Sequence, residues 1–407
     1  MRVMNTLNLN FNSAPTMNIA LVTETYLPEV NGVAITLGRM VDGMLNRGHK
    51  IHMIRPRQGK SDTAKQVNDY QETLVTGMPI PGYSELKTGL PAKGKLLKLW
   101  QAQRPDIVHI ATEGPLGWSA MSAARQLNIP ISTDFHTNFH SYTKHYGIGL
   151  LQKPIAAYLR HFHNKTDTTI VPTNSLKEEL ERDGYENVTV VGRGVATELF
   201  HPSKRSTTLR AAWGAVDATP VVMLVSRLAA EKNLQVVIRA FEKMRAVQPD
   251  AKLVMVGDGP ARPILQLQYP HVIFAGMQTG EALAQHYASG DVFLYASLTE
   301  TYGNVTGEAM ASGLATIAYD YAAARQLINH EVNGLLATFD DEQDFCTQAA
   351  ALITDAERIQ RLRSAARASM ETKTWDHIIG EFESVLVNIA FTKGLNHVTT
   401  EPIAATD

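Results

Sequence analysis

Two carboxylates, Glu300 and Glu308, stand eight residues apart and give this chain its strongest chemical signal. They flank Gly303 and Asn304, after an apolar run that predicts a buried strand and at the start of a helical pattern. Glycine lets a ligand approach the backbone closely, and Asn304 is expected to cap the helix. The free N–H groups of a helix start suit phosphate and hydroxyl groups. A charge cap with a solvated glutamate is the alternative, and it explains Glu308 alone better than the whole string.

A pair of cations follows the first apolar run of the second half of the chain. Arg227 and Lys232 come after the predicted strand Pro220–Ser226 and before a helix that begins near Asn233. Arginine offers a planar fork of donors and lysine a compact charge, so the two could hold one anion from two sides. Two surface cations beside a turn are the alternative interpretation.

A histidine, His136, directly follows the predicted strand Ile129–Phe135, and His140 and His145 come soon after it. An isolated histidine is more often structural. Its position favours function, because ligands of parallel α/β sheets bind outside the carboxyl ends of the strands.

Glycines follow two other predicted strands. Gly32 lies at a predicted helix start, where the missing side chain permits close approach to a phosphate. Gly257 and Asp258 form a further candidate, although a plain turn explains them nearly as well.

Strand-length apolar runs alternate with helical patterns in both halves of the chain, which indicates an α/β fold with two doubly wound parallel sheets. The first half has predicted strands at Asn18–Thr23, Lys50–Arg55, Asp106–Ala111, Ile129–Phe135, Thr168–Thr173 and Val188–Gly192. The second half has them at Pro220–Ser226, Lys252–Gly257, Val272–Ala275, Val292–Ser297 and Ala315–Tyr319, followed after about residue 340 by helical pattern alone. Two such sheets are expected to place their strand ends at a shared cleft.

The length of 407 residues favours two domains, because single hydrophobic cores stop growing at about 250–300 residues. We expect a disordered polar leader at 1–16, a first domain at 17–200 and a second at 201–375. A C-terminal helix at 376–392 is expected to cross back to the first domain, followed by a tail at 393–407.

The single cysteine, Cys346, excludes an internal disulfide and fits a reducing cytosol. No apolar run is long enough to span a membrane, and nothing indicates a nucleic-acid partner. Residues 1–200 carry 21 Lys and Arg against 17 Asp and Glu, a balance of +4, so the remainder of the chain carries −6. Chance scatter explains this asymmetry as well as an anionic partner of the first half does.

The string from Glu300 to Glu308 resembles the glutamate-x7-glutamate motif of retaining glycosyltransferases of the family-4 type, bacterial mannosyl- and glucosyltransferases with the GT-B fold. The resemblance spans about residues 17–390 and implies two facing Rossmann-like domains with a cleft between them. It implies that Glu300 lies beside the transferred sugar and that Glu308 binds the donor ribose. It also implies that Arg227 and Lys232 hold the diphosphate and that His136 binds the donor sugar. Gly32 would approach the donor phosphates, and Gly257 and Asp258 would lie beside the nucleotide base. The sugar hydroxyls and phosphate would be bound by the loop amides of Tyr302, Gly303, Asn304 and Val305.

The implied reaction moves a hexosyl group from a UDP- or GDP-hexose to an acceptor hydroxyl by front-face attack, with Arg227, Lys232, His136 and Glu300 as the catalytic set. No metal is expected, because the two cations can stabilise the departing diphosphate and no Asp-x-Asp follows a strand. A sugar-nucleotide epimerase on the same fold is the main alternative, and a non-catalytic nucleotide-binding protein is another. An oxidoreductase is disfavoured because no Gly-x-Gly-x-x-Gly follows the first strand.

Two departures from the family pattern weaken any choice of base or sugar. Ala196 stands where an aspartate is common in the linker, and Ala322-Ala323-Ala324 begins the segment where Gly-Gly-x-x-Glu is common.

The segment Leu86–Arg104 carries five cations and no acid, with Leu96 and Trp100 among them. A basic amphipathic helix bearing tryptophan can rest in a membrane interface, and the family often glycosylates lipids. We therefore expect a cytoplasmic protein that can bind reversibly to an anionic membrane surface and use a lipid acceptor. An ordinary helix packed on the sheet, with a soluble saccharide acceptor, is the alternative.

Overall fold

The computed structural model describes residues 15–27, 29, 32–80, 83–136, 152–216 and 218–398. By its internal contacts the chain forms two compact units. The first contains the described residues up to Asp134, His161–Thr169 and the chain from Ile379 onward, and the second contains Phe135–Arg160 and Ile170–Ile378. The predicted domain boundary is a single point near residue 200, whereas the two units are made of segments that alternate along the chain. The boundary stays a prediction. Most of the predicted leader lies outside the described residues.

Eight strands form one sheet, in the order β10-β9-β8-β7-β1-β2-β4-β3. Their bounds are β1 Asn18–Val22, β2 Lys50–Pro56, β3 Gln66–Val67, β4 Tyr70–Val75, β7 Ile107–Ile110, β8 Ile131–Asp134, β9 Thr168–Val171 and β10 Val188–Val190. The pairings from β8 through β7, β1 and β2 to β4 are parallel, and β3 is antiparallel to β4. A separate antiparallel hairpin consists of β5 Gly77–Ile80 and β6 Tyr83–Gly89.

Six parallel strands form the other sheet, in the order β13-β12-β11-β14-β15-β16. Their bounds are β11 Val221–Val225, β12 Lys252–Val256, β13 Ile273–Gly276, β14 Val292–Tyr295, β15 Ala315–Tyr319 and β16 Leu335–Ala337. Every residue of β11, β14 and β15 is buried, as expected for strands covered on both faces. The predicted doubly wound α/β class is confirmed.

Helices cover these sheets and connect their strands. In the first half of the chain they are α1 Gly32–Asn46, α2 Lys93–Ala102, α3 Pro115–Gln126, α4 Gln152–His163 and α5 Asn174–Arg182. In the second half they are α6 Thr207–Ala212, α7 Leu234–Val247, α8 Arg262–Gln268, α9 Gly280–Ser289, α10 Asn304–Ala311, α11 Ala322–Leu327, α12 Glu342–Ile353, α13 Ala356–Met370 and α14 Trp375–Val398.

Helix α14 begins in the second unit, and its residues from Ile379 onward belong to the first unit. There the Glu383 carboxylate accepts a hydrogen bond from Arg47 at 2.9 Å and lies 2.8 Å from the His49 ring nitrogen. His49 is fully buried. The contacts of Glu383 with Arg47 and His49 therefore hold the helix beside the segment between α1 and β2.

The basic segment Leu86–Arg104 differs from the predicted amphipathic helix. Its first residues complete strand β6, and helix α2 begins only at Lys93, after Pro91. Trp100 is 1% exposed and packs with Leu96 in the core of the first unit. The expectation that this tryptophan faces a membrane is therefore wrong, because its apolar face is covered by the sheet and α3.

Cys346 lies on α12 in the core of the second unit and is 1% exposed. Burial raises the pKa of its thiol. Among the described helices, none is both long enough and apolar enough to cross a bilayer.

Candidate active site

Polar side chains follow three neighbouring strands of the six-stranded sheet. Arg227 follows β11, Gly257 and Asp258 follow β12, and Glu300 lies in the loop after β14. Because β12, β11 and β14 are adjacent and parallel, their carboxyl ends lie at one edge of the sheet. This is the edge at which α/β sheets bind ligands.

Glu300 is held by three donors that converge on one of its oxygens. Its Oε1 accepts hydrogen bonds from the Lys232 ammonium, from the Tyr295 hydroxyl and, at 2.7 Å, from the Ser297 hydroxyl. Burial, together with the adjacent carboxylate, raises the pKa of Tyr295 well above its ordinary value, so this phenol remains a donor. The Glu300 side chain is therefore an anchored carboxylate whose position depends on strand β14, on the loop that follows it and on the 3-10 turn after β11.

Each of the two candidate phosphate-binding cations is paired with a carboxylate. Arg227 pairs with Glu231, which is buried, and Lys232 pairs with Glu300. The Arg227 side chain is 47% exposed and that of Lys232 16%, so the arginine is the more accessible of the two. The 3-10 turn Ala230–Lys232 sets this spacing, since it carries Glu231 and Lys232 on consecutive residues.

The start of α10 brings the backbone close to Glu300. Gly303 is the residue before the helix and has φ 91°, a left-handed conformation that favours glycine. Asn304 was expected to cap this helix but is instead its first residue, and Gly303 occupies the cap position without a side-chain hydrogen bond. A side chain on Gly303 would also lie within 3.5 Å of the Glu300 side chain. Val305 is the second residue of the helix. Tyr302, which is buried, directly precedes Gly303.

Glu308 lies one turn into α10 and accepts a hydrogen bond from the Tyr287 hydroxyl at 3.0 Å. Burial raises its pKa to about 7, and the tyrosine hydrogen bond only partly opposes that shift. The residue as a whole is half-buried. Glu308 is thus a carboxyl group whose charge changes near neutral pH.

His136 is held in the second unit by two contacts from distant parts of the sequence. Arg193 lies 3.2 Å from its Nδ1, and the Thr301 hydroxyl donates to its carbonyl oxygen at 2.8 Å. A guanidinium can only donate, so Nδ1 accepts and the ring proton lies on Nε2. The structure therefore brings His136 to the loop that carries Glu300, through Thr301.

Gly257 and Asp258 have local structural explanations. Gly257 has φ 130°, and a Cβ there would lie 1.9 Å from the Ser226 carbonyl oxygen, so only glycine fits between the two loops. The Asp258 carboxylate accepts from the Gly259 amide at 2.8 Å and from Arg262 at 2.7 Å. These hydrogen bonds lower the pKa of Asp258, which is exposed. A predicted contact with the nucleotide base stays a prediction.

Gly32, the remaining candidate, is the first residue of α1 in the first unit, and a Cβ there would meet no atom within 4 Å. Its surroundings therefore do not require glycine, and its contact with phosphate stays a prediction. His140 and His145 lie outside the described residues. Among the residues that are described, no group of three or more His, Cys, Asp or Glu side chains has the spacing of a metal site.

Sequence reasoning missed the partners that fix these side chains. Neither Arg193 nor Glu231, both of which are buried, was among the predicted site residues, although Glu231 lies between the two candidate cations in the sequence. Tyr287 lies on α9, in a segment without a motif. An arginine between two glycines directly after a strand was the one available signal.

Comparisons with known proteins agree with this architecture. Residues 30–199 match the family model Glycosyltransferase Family 4, and residues 219–355 match Glycosyl transferases group 1. A GDP-mannose-dependent alpha-mannosyltransferase of Mycolicibacterium smegmatis is 34% identical over 376 residues, covering 91% of this chain and 98% of that protein. An alpha-monoglucosyldiacylglycerol synthase of Streptococcus pneumoniae is 29% identical over 336 residues, covering 79% of this chain and 75% of that protein.

The solved structure of sucrose-phosphate synthase from Thermosynechococcus elongatus superposes with a TM-score of 0.74 at 17% identity, covering 92% of this chain and 99% of that one. The fold is thus that of the GT-B glycosyltransferases, as predicted. The chain belongs to glycosyltransferase family 4. Its predicted class, a hexosyltransferase, is confirmed.

Proposed function

We propose that the chain transfers an α-mannosyl group from GDP-mannose to an acceptor hydroxyl with retention of configuration. The contact of Lys232 with Glu300 carries the proposal, because it joins a phosphate-binding cation to a sugar-binding carboxylate across the ends of β11 and β14. The choice of donor is supported by the Mycolicibacterium smegmatis relative, whose name gives GDP-mannose dependence and which matches over nearly its whole length.

The proposed reaction is a front-face displacement. The acceptor oxygen forms a bond to the anomeric carbon as the bond from that carbon to the diphosphate oxygen breaks, with its electron pair leaving on the phosphate. The acceptor proton passes to the departing phosphate oxygen, so no side-chain base is required. Arg227 and Lys232 stabilise the negative charge that develops there.

Donor binding requires a change in the pairs seen around these cations. The diphosphate competes with Glu231 for Arg227 and with Glu300 for Lys232. Tyr295 and Ser297 still hold Glu300 when Lys232 turns to phosphate, so the carboxylate keeps its position beside the sugar. His136, with its proton on Nε2, can donate to a sugar hydroxyl. An ionised Glu308 can accept from the ribose hydroxyls.

For the acceptor we propose a lipid hydroxyl at an anionic membrane surface. Support comes from the exposed cations Lys93, Lys95 and Lys98 on α2, and from the diacylglycerol named in the Streptococcus pneumoniae relative. Vesicle co-sedimentation of the Lys93/Lys95/Lys98→Glu triple variant against wild type tests this. Equal, negligible binding of both proteins would favour a soluble saccharide acceptor.

Metal independence is part of the proposal, since the two cations can supply the charge that a divalent ion would. Activity is expected to persist in excess chelator. Loss of activity in EDTA, restored by magnesium or manganese, would contradict it.

A donor panel tests the main proposal. Because a ligand that binds only the native state raises the melting temperature, GDP-mannose should stabilise the protein more than UDP-glucose or UDP-galactose. Product formation with an added acceptor should follow the same order. Stabilisation by a uridine donor alone would replace the donor assignment, and isomerisation of a donor without acceptor would favour an epimerase.

A further inference from the structure

A wide groove in the first unit has walls that carry several positive charges. It encloses about 710 Å³ and lies between the end of β2, the strands β4, β5 and β6, and the start of α2. Five cations contribute to its lining: Arg57, Lys60, Lys87, Lys93 and Lys95. None of the candidate active-site residues belongs to it.

No carboxylate lines the groove among the residues placed there, although Asp62, whose main partner is Arg55, lies close enough to Arg57 for this cation also to lower its pKa. Two of the ammonium groups bind backbone carbonyls instead: Lys95 donates to the Leu74 oxygen at 2.8 Å, and Lys87 to the Gln58 oxygen. The nearby Asp62 carboxylate pairs with Arg55 at 2.7 Å. Bringing like charges together raises the free energy of the empty groove, which an anionic ligand would lower.

The start of α2 adds donors to the same groove. The helix has no side-chain cap and no acidic residue in its first turn, which comprises Lys93, Gly94 and Lys95. The first N–H groups of a helix lack intrahelical partners and favour anions. A side chain at Gly94 would meet nothing within 4 Å, and Lys93, Gly94 and Lys95 all line the groove.

One wall of the groove is apolar. Leu74 and Val75 are buried there, Leu90 is 37% exposed, and Pro91 and Ala92 complete the lining. A ligand that fills this space would combine a compact anion with a short apolar portion.

We propose that the groove is a binding site for a phosphate ester, either the head group of a membrane lipid or a soluble phosphorylated molecule. Lysine ammonium groups act as point charges toward phosphate, and the exposed Arg57 guanidinium, which donates from one terminal nitrogen to the Asp62 carbonyl oxygen, can donate to phosphate from its other terminal nitrogen. The site goes beyond the proposed transfer reaction, since it concerns binding alone and holds for any sugar donor.

The test uses the full chain and compares two double variants of equal charge. Lys60→Gln with Lys93→Gln removes two groove cations, whereas Lys50→Gln with Lys65→Gln removes two exposed lysines of the same unit that do not line the groove. Glycerol 3-phosphate binding is measured by calorimetry, with glycerol as the uncharged control. Phosphatidylcholine vesicles with and without phosphatidylglycerol supply the lipid arm.

We expect the groove variant to lose about tenfold or more in affinity, with the control variant within about twofold of wild type. Loss in the calorimetric arm alone identifies a soluble phosphate, and loss in the vesicle arm alone a lipid head group. Equal losses in the two variants would mean diffuse attraction to a basic surface, and absence of binding by wild type in both arms would overturn the site.

Two measurements separate this outcome from that of the transfer reaction. Phosphate binding is recorded without sugar donor, and it should persist in Lys232→Ala, which lacks a donor-site cation. If binding is lost in Lys232→Ala and kept in the groove variant, the phosphate occupies the donor site and the groove assignment is wrong.

Discussion

The cations at the strand ends of the second unit and those of the groove in the first unit are arranged in opposite ways. Arg227 and Lys232 each contact a carboxylate, whereas the contacts of Lys87 and Lys95 in the described part of the groove are with carbonyl oxygens. Paired cations are fixed in position and nearly neutral, so an incoming anion must displace a partner. Unpaired cations attract anions over a Debye length, about 8 Å in physiological salt, with less geometric demand.

The difference teaches that the two arrangements suit two different purposes. The fixed pairs of the second unit suit the proposed reaction, in which a charge that appears on the departing phosphate must be stabilised at a defined place. The groove of the first unit suits the proposed binding of an anion, which requires only net charge. The predictions below all concern the second unit, and they begin with its paired cations.

The largest expected effect comes from breaking the paired cations. Lys232→Ala and Arg227→Ala should each lower kcat by about 100-fold or more, because their charge matters most as the phosphate departs. Arg239→Ala is the matched control, since Arg239 is 48% exposed and pairs with Glu342. Steady-state kinetics with a saturating donor measures the effect. Turnover near the wild-type rate in either active-site variant would remove these residues from the leaving-group role.

A second effect concerns a cation that is paired with a neutral ring. Arg193→Met should lower kcat by about tenfold to a hundredfold, because His136 loses the donor that keeps its ring proton on Nε2. Nitrogen-15 NMR of labelled histidine should show a change of tautomer in this variant, and Arg193→Lys should restore part of the activity.

Arg160→Met serves as the control for that experiment, since Arg160 is exposed and donates to the Asp183 carbonyl oxygen at 2.9 Å. A fall in activity without a tautomer change would mean that Arg193 supports the fold and does not orient His136.

Glu308 lies in the second unit and has no cation partner among the described residues, and this should make stability depend on pH. The folded chain keeps a proton on Glu308 up to about pH 7, whereas the unfolded chain releases it near 4.5. Wild-type stability therefore falls as pH rises through this window. Across this pH range the free energy of unfolding of Glu308→Gln should therefore rise relative to that of wild type, by at most about 3 kcal/mol. Urea unfolding at several pH values measures the gain, and a difference independent of pH would contradict the raised pKa.

The smallest effect lies in the backbone beside Glu300. Ala322 has φ 50°, and the next residue donates its N–H to the Tyr302 carbonyl oxygen at 2.8 Å. Ala322→Gly should stabilise the fold by about 0.5–1 kcal/mol, because glycine adopts this conformation without a Cβ penalty. Ala323→Gly, on the same helix at ordinary φ, should destabilise it. A loss of stability at both positions would show that the Ala322 methyl contributes more through packing than it costs in strain.

The sequence predicted most of the strands because buried parallel strands are continuous apolar runs, such as Val221–Val225. It failed at the hairpin of β5 and β6, whose short strands carry proline and mixed polarity. There the spacing of Leu and Lys favoured a helix from Leu86, although Gly89 and Pro91 form a break that shifts the helix start to Lys93.

The candidate site was predictable as a set of residues but not as a set of contacts. Glu300, Lys232 and Arg227 were found because each follows a strand, and strand ends of a parallel sheet converge. Their pairing could not be predicted, since it depends on side-chain directions and on partners such as Tyr295 and Glu231, which no motif marks. Likewise, the positive φ of Ala322 was concealed by a residue type that rarely adopts it.

The rate at which the single cysteine, Cys346, reacts with a thiol reagent measures how often the second unit opens. A thiol that is 1% exposed reacts with a labelling reagent only when α12 separates from the sheet, and its raised pKa keeps it protonated until then. The rate of labelling in the native protein thus reports how often that region opens, and a bound donor should slow it. Since the chain has no other cysteine, a cysteine engineered on the surface would react with a fluorophore much faster than Cys346 does.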